Sequence, residues 1–317
     1  MVIFQFPGQG SQCVGMGAQL GTEFPAAKAV LDAVDDALSQ KLSHLMAEGP
    51  LETLTLTENA QPALMAVSLA VMAVLKTEFG VTIEHAAFVA GHSLGEYSAL
   101  TAAGALTLPD AARLLRLRGQ AMQRAVAPGI GAMASLIGPK VDLALATAAA
   151  AIGAKVGVCV VANDNNAGNI VISGTREGVD AAIAAAKEMG ARAIPLSVSA
   201  PFHCPLMQPA ALEMAAALAA TTIAKPKVPV LSNVSVSPTT DPNTIARLLV
   251  EQVTGRVRWR ESIGWFADQG ATHFVEIGVG SVLTGMSKRI APDATSLALS
   301  NGADIAAFAD FLSVKTL

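Results

Sequence analysis

The sequence predicts an α/β fold in two parts, a large domain around a parallel sheet and a smaller domain inserted into it. Short apolar runs alternate with helical patterns along much of the 317 residues, which is typical of a sheet covered by helices. A G-x-S-x-G motif joins one such run to the helical pattern behind it. In the middle of the chain the order becomes strand, helix, strand, strand, helix, strand. We therefore expect the large domain to comprise residues 1–127 and 197–317, and the inserted domain residues 128–196.

The N-terminal part supplies the first elements of the large domain. Val2–Phe6 is a short apolar run that ends in a glycine-containing turn, as expected of a buried strand. Helical periodicity follows over residues 26–38 and 61–79. The apolar stretch 60–75 is short for a membrane span and contains glutamine, proline and serine, so we expect a buried helix and no membrane association.

A further helix is predicted over residues 109–125. Thr107 can cap its start, and Asp110 occupies the capping-box position three residues later. Pro109 suits the first helical turn. Near the C-terminus, His273–Ile277 is predicted to be another strand of the large sheet.

The middle segment is a β-α-β-β-α-β unit of about the right length for a ferredoxin-like domain, and we predict that fold for the insertion. A turn rich in Asn and Gly separates its second and third strands. The cleft between this unit and the large domain is the expected active site. The predicted strands are residues 133–137, 156–161, 170–173 and 191–196, the helices are 141–152 and 177–189, and the turn is 163–169.

The motif Gly91-His92-Ser93-Leu94-Gly95 lies between an apolar run at 86–90 and helix formers at 96–105. In such an elbow the glycines relieve crowding at a sharp bend, and the helix start offers N–H groups to an oxyanion. This predicts an α/β-hydrolase-like large domain with Ser93 as nucleophile. The alternative is a glycine-flanked turn with a serine N-cap. We expect His92 to be a packing residue rather than the base.

A serine nucleophile needs a base, and His203 is the best candidate among five histidines. It lies between Pro201 and Pro205, which fix the backbone of a loop at the junction of the two predicted domains. No Asp or Glu between Ser93 and His203 is well placed as a triad carboxylate. We therefore expect another group, such as a backbone carbonyl, to orient the imidazole.

Arg118 is predicted to lie on the apolar face of its helix. A guanidinium is rarely buried without a partner, so a carboxylate of the protein or an anionic substrate must meet it. An internal ion pair or a snorkelling side chain is the structural alternative. The neighbours of Arg118 one turn away are Leu114, Leu115, Ala121 and Met122.

Composition argues against several other classes of protein. The three cysteines, Cys13, Cys159 and Cys204, are widely separated, so they define neither a disulfide framework nor a metal site. A net charge of -4 argues against nucleic acid as a partner. The first strand follows neither a basic region nor a cleavage site, so we expect a cytoplasmic protein.

Nucleotide-binding loops are also excluded. The glycines after the first strand lack the third glycine of a dinucleotide fingerprint, and residues 280–285 are not followed by the lysine of a P-loop. The turn at Gly8 and Gln9 is better explained as a second source of backbone N–H for the oxyanion.

Taken together, these motifs resemble the malonyl-CoA:acyl carrier protein transacylases, an acyltransferase family of fatty-acid synthesis. The resemblance spans essentially the whole chain, with several motifs in the right order. The matching segments are FPGQGSQ at 6–12, ENAQPA at 58–63, GHSLGEYSAL at 91–100, RG at 118–119, PFHCPLM at 201–207 and EIGVGSVLTG at 276–285.

The resemblance implies a site and a reaction. Ser93 would form a malonyl ester, with His203 acting as base and then as acid. Arg118 would bind the malonyl carboxylate, and the N–H groups of Gln9 and Leu94 would form the oxyanion hole. The substrates would be malonyl-CoA and acyl carrier protein, with no cofactor or metal, and we expect a monomer.

Two further residues are assigned by the resemblance. A main-chain carbonyl at Gln252 would take the place of the triad carboxylate. Phe202, beside the histidine, would disfavour an α-methyl branch on the acyl group. The Asn-rich turn departs from the family pattern, so a site role for Asn165 has weak support.

Three alternatives remain. The chain could be a serine hydrolase or thioesterase with water as acceptor, or a family member serving malonate decarboxylase or a polyketide synthase. It could also be a docking module with a vestigial site. Because carrier proteins are acidic, a docking face would use basic residues, although such charges are often merely solvated. The candidates are Arg113, Arg116, Lys187, Lys288 and Arg289.

Overall fold

The computed structural model describes residues 1–315, which form two sheets and the helices packed on them. The strands are β1 Val2–Phe6, β2 Phe88–Gly91, β3 Gly131–Ile137, β4 Cys159–Asn166, β5 Asn169–Thr175, β6 Arg192–Pro195, β7 Val230–Leu231, β8 Pro238–Thr239, β9 His273–Ile277 and β10 Thr295–Leu299. The helices are α1 Ala18–Glu23, α2 Pro25–Leu38, α3 Leu42–Glu48, α4 Leu51–Thr55, α5 Thr57–Phe79, α6 Gly95–Ala102, α7 Leu108–Ala125, α8 Leu143–Gly153, α9 Arg176–Glu188, α10 Gln208–Ala219, α11 Pro242–Thr254, α12 Trp259–Asp268, α13 Val282–Ile290 and α14 Gly302–Lys315. Short 3-10 turns lie at Ile83–His85 and Pro205–Met207.

The larger sheet has the strand order β10-β9-β1-β2-β7-β8 and is parallel except between β7 and β8. The predicted α/β class with a parallel sheet is therefore confirmed. In the register of β1 and β2, Phe6 lies opposite Gly91. Because parallel strands end at the same edge, the turn after Phe6 and the elbow after Gly91 are brought side by side.

The smaller sheet is antiparallel, with the order β4-β5-β3-β6, and carries α8 and α9. It has a hydrophobic core cluster of its own, in which Leu136, Ile172 and Val179 are buried. The order of strands and helices in this segment is the one predicted from the sequence.

The predicted turn at residues 163–169 was largely wrong, and the strand predicted before it at 156–161 is present but starts and ends later. Strand β4 starts at Cys159 and continues through Asn166, leaving only residues 167 and 168 for the turn. Two register shifts accommodate the polar run, and its backbone also pairs with Val257 outside the small sheet. The Asp164 N–H donates to Val257 O at 2.9 Å, and the Val257 N–H donates to Ala162 O at 2.8 Å. Pairing with β5, together with this long-range bridge, overrides the local preference of Asn and Asp for turns.

Helix α5 begins at Thr57, one turn earlier than predicted, and contains Pro62. Its first turn is polar in sequence yet buried at Thr57 and Asn59, so a hydrophobic pattern could not reveal it. Of the described helices, α5 alone is long and apolar enough to cross a membrane by length and composition. Its most apolar window is 67% buried, and it packs against α2 and α7, as the core helix of a folded domain does.

Candidate active site

The elbow after β2 requires both of its glycines. A Cβ on Gly91 would lie 1.9 Å from the backbone of Gly95, and a Cβ on Gly95 would lie 2.2 Å from the Phe6 carbonyl oxygen. Between them Ser93 has a φ of 53°, the left-handed conformation that a nucleophile elbow imposes. The strand-to-helix turn predicted from the sequence is therefore present.

Ser93 and His203 are brought into contact across 110 residues of sequence. Ser93 Oγ lies 2.8 Å from His203 Nε2. The other ring nitrogen, Nδ1, lies 2.9 Å from the Gln252 carbonyl oxygen and 3.1 Å from that of Gly255. Carbonyl oxygens only accept, so Nδ1 carries the proton and Nε2 is left to accept one from the serine hydroxyl.

The environment of His203 keeps its ring neutral. Burial, together with the positive charge of Arg118, lowers the pKa of His203 to about 3. A neutral imidazole with an unprotonated Nε2 is the form that can act as a general base.

Arg118 is delivered to the site by α7, whose start follows the predicted capping. Thr107 Oγ1 accepts from the Asp110 N–H at 3.2 Å and donates to the Asp110 carboxylate at 2.6 Å. Arg118 then lies on the buried face with 2% of its surface exposed, as predicted. Its guanidinium stacks over Tyr97, with 5.8 Å between Cζ and the ring centroid.

The hydrogen-bond partners of Arg118 are neutral. Its guanidinium donates to Gln61 Oε1 at 2.7 Å, to Gln252 Oε1 at 2.9 Å and to Ser93 Oγ at 3.1 Å. Burial lowers the pKa of Arg118, although a guanidinium stays charged. Among the described residues no carboxylate forms an ion pair with it. A positive charge without a direct anionic partner therefore lies beside the nucleophile.

Glu96 is a site residue that the sequence reasoning missed. It is 3% exposed, and its Oε2 accepts from Gln252 Nε2 at 2.8 Å and from the Asn233 N–H at 3.1 Å. Burial raises the pKa of Glu96 to about 7. Glu96 and Gln61 both lie in motifs noted in the sequence, which was the signal available for them.

Asn233, in the loop after β7, was also missed, and no sequence signal pointed to it. Its side chain accepts from the Ser93 N–H at 2.7 Å and donates to the Gly91 carbonyl at 2.7 Å. These two bonds fix the backbone of the elbow on both sides of His92. The first of these bonds also occupies the Ser93 N–H. The next N–H along the chain that could reach an oxyanion is that of Leu94.

A cavity of about 380 Å³ opens beside Ser93, between strands of the smaller sheet and the turns and helices that surround the larger one. Gln9, Leu94 and Phe202 all line it, as do Arg118 and His203. The Gln9 side chain donates to Thr57 Oγ1 at 3.3 Å. All the predicted site residues except Gln252 therefore border one cavity, and Gln252 lies directly behind it.

His92 has more contacts than a packing residue needs. Its ring lies against Trp259, with 5.5 Å between centroids, and also borders the cavity. Its Nε2 lies 2.9 Å from Asn165 Oδ1, which ties the elbow to β4. A site role for Asn165 had little support in the sequence, and the structure places this residue at the cavity wall.

The remaining candidates lie elsewhere. Four of the five basic residues considered for docking are exposed, and Arg116 is half-buried with Gln40 as partner. Cys13, Cys159 and Cys204 are free thiols. Within residues 1–315 no group of three or more His, Cys, Asp or Glu side chains is placed to hold a metal ion.

The chain is similar to known proteins in both sequence and structure. The profile of the acyl transferase domain matches residues 3–299. The malonyl CoA-acyl carrier protein transacylase of Bacillus subtilis (strain 168) is 47% identical over 95% of this chain and 93% of that protein. A crystal structure of an acyl-carrier-protein-S-malonyltransferase from Bartonella henselae is 52% identical, with a TM-score of 0.96 over 98% of this chain and 99% of that one. A malonyl-transacylase solved in complex with a type II PKS acyl-carrier protein is 39% identical, with a TM-score of 0.94 over 98% and 99%.

Proposed function

The chain belongs to the acyl transferase domain family, and from this premise we propose how its residues carry out the reaction. It is an acyltransferase that moves the malonyl group from malonyl-CoA to acyl carrier protein in fatty-acid synthesis. The observation that carries the proposed mechanism is the position of Arg118. A buried guanidinium with only neutral protein partners lies 3.1 Å from the hydroxyl of a serine that is paired with a neutral histidine.

The first half of the reaction loads the serine. His203 Nε2 takes the proton of Ser93, and Oγ attacks the thioester carbonyl of malonyl-CoA. The C–S bond then breaks, and the imidazolium returns the proton to the leaving CoA thiolate. The product is a malonyl ester on Ser93.

The second half runs the same steps in reverse with a new thiol. His203 takes the proton of the phosphopantetheine thiol that the carrier protein brings, and the thiolate attacks the ester. Ser93 leaves and recovers the proton. Because the first product departs before the second substrate reacts, the kinetics are ping-pong.

Both halves pass through an oxyanion, for which we propose the N–H groups of Gln9 and Leu94 as donors. Two observations support this assignment. The turn holding Gln9 lies beside the elbow because β1 and β2 are parallel neighbours, and the Ser93 N–H is already engaged by Asn233. The Gln252 main chain, together with Gly255, orients the His203 ring.

Substrate choice is assigned to two residues. Arg118 binds the carboxylate of the malonyl group, because an anion is the partner that a buried and otherwise uncompensated guanidinium lacks. Phe202 borders the cavity next to His203, where its ring would crowd a substituent on the α-carbon. The site needs no cofactor or metal, since Ser93 and His203 supply the nucleophile and the proton carrier.

We propose a more specific fold for each of the two parts of the chain. We describe the large sheet and its elbow as α/β-hydrolase-like, covering residues 1–127 and 197–317. The segment 128–196 fits a ferredoxin-like unit because its β-α-β-β-α-β order comes with an antiparallel sheet of order β4-β5-β3-β6. Limited proteolysis at the two connections would test these boundaries.

Three free thiols, two of them buried, suit a reducing compartment, so we propose a cytoplasmic protein. We further propose a monomer that acts without nucleic acid or membrane, which sedimentation velocity in the presence and absence of vesicles would test.

Intact-protein mass spectrometry tests the reaction path. Mixing with malonyl-CoA should add one malonyl group at Ser93, and holo-carrier protein should then remove it and carry it away. Release of free malonate instead would indicate a hydrolase, and no labelling would indicate a vestigial site. Running the second step with a fatty-acid and a polyketide carrier protein side by side would reveal which one the chain prefers.

A further inference from the structure

Glu96 is a buried carboxylate for which the reaction steps above have no use. It is the second residue of α6, directly behind the elbow, and is 3% exposed. Among the described residues it forms no ion pair, and its Oε2 is held by amide donors, the Gln252 side chain and the Asn233 N–H. Burying a carboxylate is costly, so a buried carboxylate usually marks a point where a hydrogen-bond acceptor is needed.

The contacts of Glu96 determine which way the Gln252 amide faces. Gln252 Nε2 lies 2.8 Å from Glu96 Oε2 and 2.9 Å from the Ser93 carbonyl oxygen. Both of these oxygens accept, so the NH₂ group must be on this side. The side-chain oxygen of Gln252, Oε1, is thereby turned toward Arg118, which donates to it at 2.9 Å.

The orientation of Gln252 in turn fixes Arg118. The guanidinium is held between two neutral amide oxygens, those of Gln61 and Gln252. A carboxylate in direct contact would compete with an anionic substrate for the same N–H groups. Glu96 does not contact Arg118 directly, because Gln252 lies between them. Its charge still attracts Arg118, and Arg118 in turn favours the ionised form of Glu96.

We propose that Glu96 is a positioning residue that sets the preference for acyl groups bearing a carboxylate, by orienting Gln252 and through it Arg118. This rests on the proposed function, because it presumes that Arg118 binds the malonyl carboxylate. The charged or titratable groups that interact electrostatically with Glu96 are Arg118 on α7 and Tyr97 on α6. What Glu96 supplies is an oxygen acceptor at a fixed point, so a neutral acceptor of the same shape should replace it.

The test compares variants of Glu96 in full-length protein, with malonyl-CoA and acetyl-CoA as donors and holo-carrier protein as acceptor. Glu96→Ala should lower the malonyl-over-acetyl ratio of kcat/KM by roughly tenfold, mainly through a higher KM for malonyl-CoA. Glu96→Gln keeps an oxygen facing Gln252 and should retain the ratio within about twofold. If Glu96→Ala fails to fold, Glu96→Leu replaces it in the test, because leucine fills a similar volume without offering an acceptor. It should then show the loss of ratio expected for alanine.

Glu276 provides a matched control. It is also a fully buried carboxylate, but it accepts from the Leu283 and Thr284 N–H groups at the start of α13. Glu276→Ala should lower stability without changing the substrate ratio. Equal losses with both donors in Glu96→Ala and Glu96→Leu would overturn the proposal, as would a glutamine variant that loses the ratio. If Arg118→Ala also left the ratio unchanged, the carboxylate assignment itself would fail, whereas a change there with none at Glu96 would refute only this inference.

Discussion

Ser93 and His203 both hold a left-handed backbone conformation, with φ of 53° and 57°, and their side chains meet at 2.8 Å between Oγ and Nε2. Each such conformation costs a non-glycine residue on the order of 1–3 kcal/mol, so neighbouring contacts must hold it. Asn233 does so for the serine, by bonding the N–H of Ser93 and the carbonyl of Gly91. Nucleophile and base therefore both depend on a strained backbone.

The strain predicts a difference between two inactive variants. Ser93→Ala and Ser93→Gly should both abolish malonyl loading, since neither has a hydroxyl. The glycine variant should be more stable than the alanine variant by about 1 kcal/mol, because only glycine adopts a positive φ without steric cost. Urea unfolding of the two variants measures this difference. A more stable alanine variant would show that the turn is not strained.

Arg118 is expected to control substrate preference. Arg118→Ala should lower kcat/KM for malonyl-CoA by about 10²–10³, the value of one to two charge-assisted hydrogen bonds, and affect acetyl-CoA far less. Arg118→Lys keeps the charge but loses the planar fork, so it should fall between the two. Steady-state kinetics with both donors provide the measurement. Improved malonyl transfer, or an unchanged preference, would exclude the carboxylate role.

The low pKa of His203 predicts the acid limb of the pH profile. With a pKa of about 3, His203 stays neutral well below the usual pH range of histidine titration. The rate of Ser93 acylation should therefore not fall as the pH is lowered through about 6.5. Arg118→Ala removes a nearby positive charge, which should raise the pKa of His203 and move the acid limb toward neutral pH. Single-turnover acylation by acetyl-CoA would reveal both effects. Repeating it in Glu96→Gln separates any titration of Glu96.

Glu96 should make stability depend on pH in a definite direction. Its folded pKa of about 7 lies above the ordinary value of 4.5, so the folded state binds the proton more tightly. The resulting stabilisation is complete below pH 4.5 and is lost as pH rises through 7. Relative to Glu96→Gln, the wild type should lose about 3 kcal/mol over that window. Chemical unfolding at a series of pH values provides the test, and parallel curves would contradict the assignment.

Phe202 is expected to select against branched acyl groups. Phe202→Ala should raise the methylmalonyl-over-malonyl ratio of kcat/KM by about tenfold or more, since one methyl group in a tight pocket is worth roughly 1–3 kcal/mol. Competition between the two CoA esters, read out on the carrier protein, gives the ratio directly. If the ratio does not move, the branch is excluded by another part of the cavity wall.

Local chemistry was enough to predict several elements. The cap of α7 depends on Thr107 and Asp110, three residues apart, and the elbow depends on two glycines and the strand before them. Local chemistry failed at residues 163–166, where pairing with β5 on one side and a bridge to Val257 on the other keep a polar run extended. A partner almost a hundred residues away leaves no trace in the local pattern.

The site divides along the same line. Ser93, His203 and Arg118 could be predicted because each has a local peculiarity, namely an elbow, a proline-framed loop and a charge on an apolar helix face. Glu96 and Asn233 act through bonds to residues more than 130 positions away. Glu96 lies in the motif at 91–100, but nothing there indicates which residues it contacts, and Asn233 has no local signal at all. Their contribution could be found only from the folded chain.

The groups that orient the His203 ring are carbonyl oxygens of the main chain, at Gln252 and Gly255. Every amino acid carries such a carbonyl, so no exchange of one side chain for another deletes the orienting acceptor. In a serine protease three catalytic side chains can be removed by substitution. In the site described above there are two, those of Ser93 and His203. In a screen for inactive alleles, substitutions at Gln252 should therefore behave as defects in binding the acyl group. Loss of the acceptor itself should require an insertion, a deletion or a proline that reroutes the chain between α11 and α12.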